Sequence, residues 1–163
     1  MLVVLRHAEP RRGEADPELT SAGHRMALEA GAWTVEHLPE GVTVRVFHTP
    51  TERTRQTAEG VALSLGKRAS LQTIDVLPET FYDLDILADR LSGARPGWPV
   101  PVLPPTVLVG HHTTLVALAR ELPAGEKHPK PGNYTAGMCL VRDRSCACGW
   151  RVAAVCSGRP PGL

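Results

Sequence analysis

An arginine and a histidine stand side by side near the start of the chain, directly after a short apolar segment. Arg6 and His7 follow Leu2-Val-Val-Leu5, a run typical of a strand that is buried on both faces. A guanidinium is a planar, permanently charged group that suits phosphate, and an imidazole can act as a nucleophile or an acid–base group near neutral pH. These residues alone fit a phosphate site and an ordinary polar loop equally well.

A second apolar segment ends in the same way. Thr106-Val-Leu-Val-Gly110 runs into His111 and His112, so two separate strands are predicted to deliver histidines to one edge of a sheet. Arg53 and Arg55 lie in the first turn of a predicted helix between these strands. Cations oppose the helix dipole there whereas a bound anion is stabilised, which favours a functional reason for an arginine. Residues two apart face different ways, so only one of the two is expected to reach the site.

Two acidic residues are candidates for the proton donor of such a site. Glu79 and Asp83 lie in the loop Leu77-Pro-Glu-Thr-Phe-Tyr-Asp-Leu-Asp85, where the alternative for each is a solvated carboxylate. Arginines, a neutral imidazole and an acid together would perform phosphoryl transfer. The arginines bind the phosphoryl group, the imidazole attacks phosphorus in line, and the acid protonates the leaving oxygen. This chemistry requires no metal and no cofactor.

The rest of the sequence predicts the elements that position these groups. Strands are predicted at residues 2–5, 42–48, 71–77 and 106–110, with a final hairpin of 136–142 and 150–156. Helices are predicted after an N-cap at Thr20, over residues 51–65 with Thr49 as cap, near 84–91, and from about 113 to 122. This alternation predicts a three-layer α/β/α fold with a mostly parallel central sheet. We expect one domain over residues 1–156 and a flexible tail at 157–163.

Composition excludes several classes of protein. The 163 residues are 42% hydrophobic and 21% charged with a net charge of +1, which indicates a globular domain without the broad basic surface of a nucleic-acid binder. No apolar run approaches the roughly 18–20 residues of a membrane span, and no signal peptide is evident, so we expect a cytoplasmic protein. The Cys146-Ala-Cys148 pair has no second ligand pair at familiar spacing, which favours reduced thiols over a metal site.

Four segments, in order along the chain, resemble the motifs of the histidine phosphatase superfamily, the phosphoglycerate-mutase-like proteins. Arg6-His7-Ala8-Glu9 resembles the family's RHG/RHA signature, and Asp16-Pro-Glu-Leu-Thr-Ser-Ala-Gly23 its D-x-x-L-T-x-x-G helix entry. His48-Thr-Pro-Thr-Glu-Arg-Thr-Arg-Gln-Thr-Ala58 resembles S-x-x-x-R-A-x-Q-T-A, and Val107-Leu-Val-Gly-His111-His112 resembles the strand of the second histidine. The resemblance implies a phosphoglycerate-mutase-like fold.

The resemblance also implies a role for each matching residue. His7 would be the nucleophile that becomes phosphohistidine, and His111 would stabilise the transferring group. Arg6 and Arg53 would hold the phosphate. Arg53 is preferred to Arg55 because the family arginine precedes the motif threonine by four residues.

Two assignments are less direct. Glu79 best matches the family's general acid, with Asp83 as the alternative. His112 stands where Gly or Asn is usual and is included among the phosphate-binding residues, because its side chain would crowd or extend the pocket. Gly13 stands where some members carry a phosphate-binding Asn.

The predicted function is therefore a metal-independent, histidine acid-type phosphatase, a phosphoric monoester hydrolase. It would hydrolyse a phosphomonoester or phosphohistidine, borne by a small molecule or a protein, through a phosphohistidine intermediate. The short chain resembles the compact bacterial members, including those acting on phosphohistidine in proteins. The alternatives are a phosphate- or phosphopeptide-binding module without turnover, a phosphomutase, and a metal hydrolase built on His7, His111 and His112. A phosphomutase must keep water from its phosphoenzyme, and no long insertion is present to build a lid.

Overall fold

The computed structural model describes residues 1–74, 87, 88, 91 and 104–161. Within these residues six strands form one sheet in the order β3-β2-β4-β1-β5-β6. The strands are β1 (Leu2–Arg6), β2 (Val44–His48), β3 (Ala69–Thr73), β4 (Thr106–Gly110), β5 (Gly137–Arg142) and β6 (Trp150–Cys156). Each predicted strand is present. β3 begins two residues before the predicted start at residue 71, and it lies at an edge of the sheet, as predicted.

The four strands β1 to β4 run parallel, and the final hairpin closes one side of the sheet. β4 pairs in parallel with both β1 and β2, and β2 pairs in parallel with β3. β5 is antiparallel to β1, and β6 is antiparallel to β5. The register sets Arg6 opposite Gly110, the last residues of β1 and β4. The residues that follow these two strands therefore emerge side by side at the carboxyl edge.

Three α-helices have bounds within the described ranges: α1 (Ser21–His37), α2 (Glu52–Leu65) and α3 (His112–Arg120), with a short 3₁₀ turn over Gly66–Arg68. The predicted N-cap Thr20 is confirmed, because its side chain accepts a hydrogen bond of 2.9 Å from the backbone N–H of Gly23. The prediction that Thr49 caps α2 is wrong, because Thr51 is the N-cap residue. The side chain of Thr51 does not cap the helix, and the carboxylate of Asp16 accepts from the N–H of Glu52 at 2.9 and 3.1 Å instead.

Apolar side chains cover both faces of the sheet, because alternate residues of each strand point to opposite sides. One cluster joins the sheet to α1 and α2 and includes Val3, Leu5, Val46, Val61, Val107 and Val109. The other lies against α3 and the final hairpin and includes Leu2, Val4, Leu108, Leu115, Met138 and Trp150. Leu87, Ala88 and Leu91 have helical backbone and are buried in this second cluster. The predicted α/β architecture is thus confirmed.

The segment that was expected to be a flexible tail begins with specific contacts. The Asn133 side chain donates to the carbonyl oxygen of Ser157 at 2.9 Å, and Tyr134 and Arg159 form an antiparallel bridge. The Arg159 side chain also binds Glu29 on α1, at 2.7 Å. None of the helices that can be described combines the length and apolar character needed to cross a membrane.

We predict that Gly23→Ala destabilises the protein, although helix propensity alone would stabilise it by about 1 kcal/mol. A Cβ atom at Gly23 would collide with the backbone carbonyl oxygen of Glu9, which cannot move without displacing the strand-end loop. Overpacking of this kind typically lowers the free energy of unfolding by about 1–3 kcal/mol. Urea denaturation measures the effect, with Arg25→Ala on the exposed face of α1 as the control. A gain in stability for Gly23→Ala would contradict the collision.

Candidate active site

The pairing of β1 with β4 brings the two strand-end histidines together. The backbone N–H of His7 donates to the carbonyl oxygen of Gly110 at 2.9 Å, which extends the parallel pairing by one residue. The rings of His7 and His111 lie with their centroids 5.4 Å apart and an angle of 68° between their planes. Two residues separated by more than a hundred positions in the sequence thus face one another across the same site.

A backbone contact determines which nitrogen of His7 carries the proton. The ring is buried, with 6% of the residue exposed, and its Nδ1 lies 2.8 Å from the carbonyl oxygen of Ala8. A carbonyl oxygen can only accept a hydrogen bond, so Nδ1 of His7 must donate. In the neutral ring the lone pair is then on Nε2, which is the nitrogen available for nucleophilic attack.

The surroundings of His7 keep its ring neutral. These surroundings together lower the pKa of His7 to about 3, and burial is the largest cause; the charges of Arg6, His111 and Arg53 act in the same direction, whereas the hydrogen bond to Ala8 raises the pKa. At neutral pH the ring is therefore unprotonated. A neutral imidazole with a fixed tautomer is the state that attack on phosphorus requires.

His111 begins α3 as its N-cap residue and is fixed by a pair of threonines. Its Nε2 lies 3.2 Å from the hydroxyl oxygen of Thr49, and that hydroxyl donates to the Thr54 oxygen at 3.0 Å. Because the single hydroxyl proton of Thr49 is used in this way, its oxygen accepts from Nε2 of His111. Burial and then the charge of Arg53 lower the pKa of His111, while Asp16 opposes the change.

Arg6 is the last residue of β1, and its guanidinium is held by the segment before β5. Its Nη1 donates to the carbonyl oxygens of Pro131, at 3.3 Å, and Gly132. The guanidinium carbon lies 4.5 Å from the centroid of the Tyr134 ring. Its Nε is buried and has no hydrogen-bond partner among the residues that the structure describes. Arg6 therefore retains donor capacity for an anion.

Arg53 lies in the first turn of α2, and a threonine joins this helix to the end of β1. Its Nη1 is 3.6 Å from a carboxylate oxygen of Asp16. The Thr57 hydroxyl donates to the carbonyl oxygen of Arg53 at 2.7 Å and accepts from the N–H of Ala8 at 2.9 Å. The turn that carries Arg53 is thus attached directly to the residue after His7. Its charge is near enough to lower the pKa of both His7 and His111.

The other predicted residues differ in where they lie. Arg55 faces away from the site and binds Glu52 and Glu59 on the surface of α2. His112 is exposed as the first residue of α3, where its charge lowers the pKa of His111. The two candidate acids, Glu79 and Asp83, lie outside the described residues.

Several residues that support the site are not predicted from the sequence, and they differ in how detectable they are. Asp16 and Thr57 belong to the quoted motifs but had been given no role. Thr49 follows a strand that ends at the same edge, which is the signal that could have found it. Tyr134 lies between a predicted loop and a predicted strand, where nothing in the sequence points to the site.

A third strand-end histidine, His48, serves as a comparison with His7. It is 5% exposed at the end of β2, and its Nδ1 lies 2.8 Å from the carbonyl oxygen of Thr49. Its Nε2 is 3.3 Å from the Thr73 hydroxyl, so both ring nitrogens of His48 are engaged by the protein. Within the described part of the chain, no group of three or more His, Cys, Asp or Glu side chains is arranged to hold a metal ion.

One protein-family model matches this chain, and the match spans slightly more than half of its length. The sequence model of the histidine phosphatase superfamily, branch 1, matches residues 2–86. This range contains Arg6, His7 and Arg53. A comparison with curated protein sequences gives no significant match.

Solved structures with the same fold cover nearly the whole chain. A mycobacterial glucosyl-3-phosphoglycerate phosphatase in complex with VO₃ is 17% identical, with 94% of this chain and 97% of that chain covered and a TM-score of 0.61. The protein histidine phosphatase SixA in complex with tungstate is 22% identical, with 94% of each chain covered and a TM-score of 0.63. A structure described as a putative phosphohistidine phosphatase SixA, from Agrobacterium tumefaciens, is 20% identical, with 99% and 97% covered and a TM-score of 0.58. These likenesses establish the fold.

We predict that burial of neutral His7 makes the protein less stable in mild acid. Between the ordinary histidine pKa of 6.5 and about 3, the unfolded chain binds a proton at His7 that the folded protein does not, so stability falls as pH falls. From about pH 7 to about pH 5 the loss from His7 amounts to about 2 kcal/mol in the free energy of unfolding. His111, whose pKa is also lowered, adds to the loss in the same direction.

Urea denaturation at the two pH values, for the wild type and for His7→Gln, isolates the contribution of His7. The variant should lose less stability on acidification than the wild type does. Equal losses in the two proteins would contradict a neutral, buried His7.

Proposed function

This chain belongs to branch 1 of the histidine phosphatase superfamily, and from that premise we propose that it is a metal-independent phosphatase acting through a phosphohistidine intermediate at His7. The observation that carries the proposal is the state of His7. Its ring is buried and neutral, and the Ala8 carbonyl holds the proton on Nδ1, so that Nε2 has a free lone pair. A ring prepared in this way beside two arginine side chains and a second histidine suits attack on a phosphoryl group.

In the first step Nε2 of His7 attacks phosphorus, and the bond from phosphorus to the leaving oxygen of a phosphomonoester breaks as the N–P bond forms. A phosphohistidine substrate loses its imidazole nitrogen in the same way, and that nitrogen receives the proton. The ring gains positive charge, which the Ala8 carbonyl stabilises by accepting from Nδ1–H. The guanidinium groups of Arg6 and Arg53 stabilise the charge on the phosphoryl oxygens, together with the Nε2–H of His111, which donates to Thr49 in the empty site. Glu79, the proposed general acid, donates a proton to the leaving oxygen.

In the second step water attacks the phosphohistidine. The N–P bond breaks, Glu79 takes a proton from the water, and His7 returns to its neutral form with the proton still on Nδ1. Inorganic phosphate is released. Every proton and bond is accounted for by protein side chains and water, so the scheme uses no metal and no cofactor.

The substrate is proposed as a phosphomonoester or phosphohistidine, carried by a small molecule or by a protein. Structures of the same fold support both classes, because their names include a phosphatase for glucosyl-3-phosphoglycerate and a phosphatase for protein histidine. His112 is proposed to contact the substrate at the rim of the site, because it is exposed and adjacent to His111. A cytoplasmic location remains a prediction from the sequence.

We predict that His7→Ala abolishes the hydrolysis of an aryl phosphate and the trapping of labelled phosphate on the protein. Loss of a nucleophile that forms a covalent intermediate reduces turnover by on the order of a thousand-fold or more. Acid-quenched incubation with a ³²P-labelled substrate measures the intermediate, and a colorimetric assay with and without chelator measures turnover. Neither measurement should change for the wild type when chelator is added.

His48→Gln is the matched control, because His48 is equally buried at the end of β2, another parallel strand of the same sheet that is separated from β1 by β4. It should retain labelling and turnover, with folding of both variants checked by circular dichroism. Turnover that persists in His7→Ala would exclude the proposal. Phosphate binding without turnover in the wild type would instead identify a phosphate-binding module.

We predict that Glu79→Gln slows substrates with poor leaving groups far more than substrates with good ones. An alkyl oxygen needs a proton as it departs, whereas a nitrophenolate leaves without help, so loss of the general acid lowers kcat/KM, which reports formation of the phosphohistidine, by about 10²–10⁴-fold only for the former. Hydrolysis of the phosphohistidine, which also uses Glu79, is common to both substrates and lowers kcat for both. Steady-state kinetics with an alkyl phosphate and p-nitrophenyl phosphate measure the two effects. Asp83→Asn is the comparison. If it alone produces the selective loss, Asp83 is the acid and the assignment of Glu79 is wrong.

A further inference from the structure

Tyr134 contacts both the first arginine of the site and the proposed nucleophile. The guanidinium carbon of Arg6 lies 4.5 Å from the centroid of the Tyr134 ring. The same ring lies 6.0 Å, centroid to centroid, from the ring of His7, with an angle of 43° between the planes. No motif in the sequence includes Tyr134, and neither the predicted site nor the proposed mechanism gives it a role.

The other contacts of Arg6 leave its guanidinium plane incompletely fixed. Nη1 donates to the carbonyl oxygens of Pro131 and Gly132, which anchor one nitrogen. Nε is buried without a hydrogen-bond partner in the described part of the chain. The bond to Cδ and the hydrogen bonds at Nη1 leave the plane able to rotate about the line that joins these two atoms. The aromatic face of Tyr134 restricts this rotation, because a cation is attracted to the face of the ring.

The backbone of Tyr134 is itself held from two sides. Its N–H donates to the carbonyl oxygen of Arg159 at 2.7 Å, and the N–H of Arg159 donates back to the carbonyl oxygen of Tyr134 at 2.9 Å. The Arg159 side chain forms an ion pair with Glu29 on α1, at 2.7 Å. The ring also packs against the buried cluster of Ala8, Leu19, Met26 and Ala27. The ring is therefore held in place independently of Arg6.

The residue after Tyr134 has an unfavourable backbone conformation. Thr135 has a φ of 53°, in the left-handed region that β-branched residues rarely adopt. Its N–H donates to the carbonyl oxygen of His7 at 3.4 Å, and its hydroxyl donates to the carbonyl oxygen of Tyr134 at 2.7 Å. Strain of this kind persists where the surroundings fix the chain, and it clusters at functional sites. Here it turns the chain so that Tyr134 faces the site immediately before β5 begins.

We propose that Tyr134 is a positioning residue for phosphate binding: its ring fixes the guanidinium of Arg6 beside His7, in the orientation that receives the anion. This inference rests on the proposed function, because it assumes that Arg6 binds phosphate. It goes further in assigning the orientation of Arg6 to one side chain outside the motifs. The ring face is the part of Tyr134 that acts, and its hydroxyl has no role in positioning Arg6.

The test compares Tyr134→Phe, which keeps the ring, with Tyr134→Leu, which keeps apolar volume but removes the aromatic face. Dissociation constants for inorganic phosphate and orthovanadate are measured by calorimetry, and kcat and KM are measured with an aryl phosphate. Tyr134→Phe should bind both anions within about 2-fold of the wild type, and Tyr134→Leu should bind them about 3- to 30-fold more weakly. Met26→Val is the matched control for loss of packing, because it removes volume from the buried cluster next to Tyr134 and keeps the aromatic ring itself.

A direct readout of Arg6 separates positioning from a merely structural role. The Nε–H resonance of Arg6 in ¹H–¹⁵N spectra should carry a ring-current shift in the wild type and in Tyr134→Phe. In Tyr134→Leu it should move and broaden, whereas Met26→Val should lower the melting temperature and leave this resonance unchanged. If Tyr134→Leu does not fold, Tyr134→Met replaces it in every comparison.

The possible outcomes distinguish this inference from the proposed function. If the wild type binds neither anion, the proposed function fails, and the Arg6 resonance alone decides whether Tyr134 holds the guanidinium. If the wild type binds the anions and Tyr134→Leu binds them equally well with an unchanged Arg6 resonance, the positioning role is overturned. Equal losses in Tyr134→Phe and Tyr134→Leu would also overturn it, because they would assign the effect to the hydroxyl.

Discussion

The parallel pairing of β1 with β4 is the constraint on which the rest of the site depends. It sets Arg6 opposite Gly110, and the next residues of the two strands are His7 and His111. A slip of one residue in this register would turn the side chain of Arg6 and that of His7 each to the other face of the sheet. Both would then be lost from the site. Residues 2–5 of β1 and all residues of β4 are buried, so such a slip would also disrupt the side-chain packing on both faces of the sheet.

A second layer of contacts converts this alignment into a chemically defined site. Backbone carbonyls and threonine hydroxyls, rather than charged side chains, decide the proton positions: Ala8 for His7, and Thr49 for His111. Burial then supplies the largest cause of the lowered pKa of each ring. Fixed tautomers in a partly dry site require no reorganisation at the moment of reaction, which is how preorganised groups contribute to catalysis.

The sequence predicted those parts of the molecule that depend on local pattern. Strand-end positions of His7 and His111 followed from apolar runs that stop abruptly, and the family predicted from four motifs is confirmed by the match over residues 2–86. The α2 cap was mispredicted because the group that caps it, Asp16, comes from a distant loop, which no local pattern reveals. Tyr134 is not predicted for a similar reason. Its contact with Arg6 depends on the turn at Thr135 and on backbone pairing with Arg159, and local sequence reveals neither.

The carboxylate of Asp16 beside Arg53 has a consequence for the end of a catalytic cycle. In the empty site Arg53 already has a negative partner 3.6 Å away, so its charge is partly compensated before any substrate arrives. When inorganic phosphate leaves the site of a phosphatase, the carboxylate of Asp16 is therefore already in place to compensate the charge of Arg53. An arginine without such a partner would retain the product more strongly. Under the proposed function, the loop that carries Asp16 would therefore favour product release and limit product inhibition.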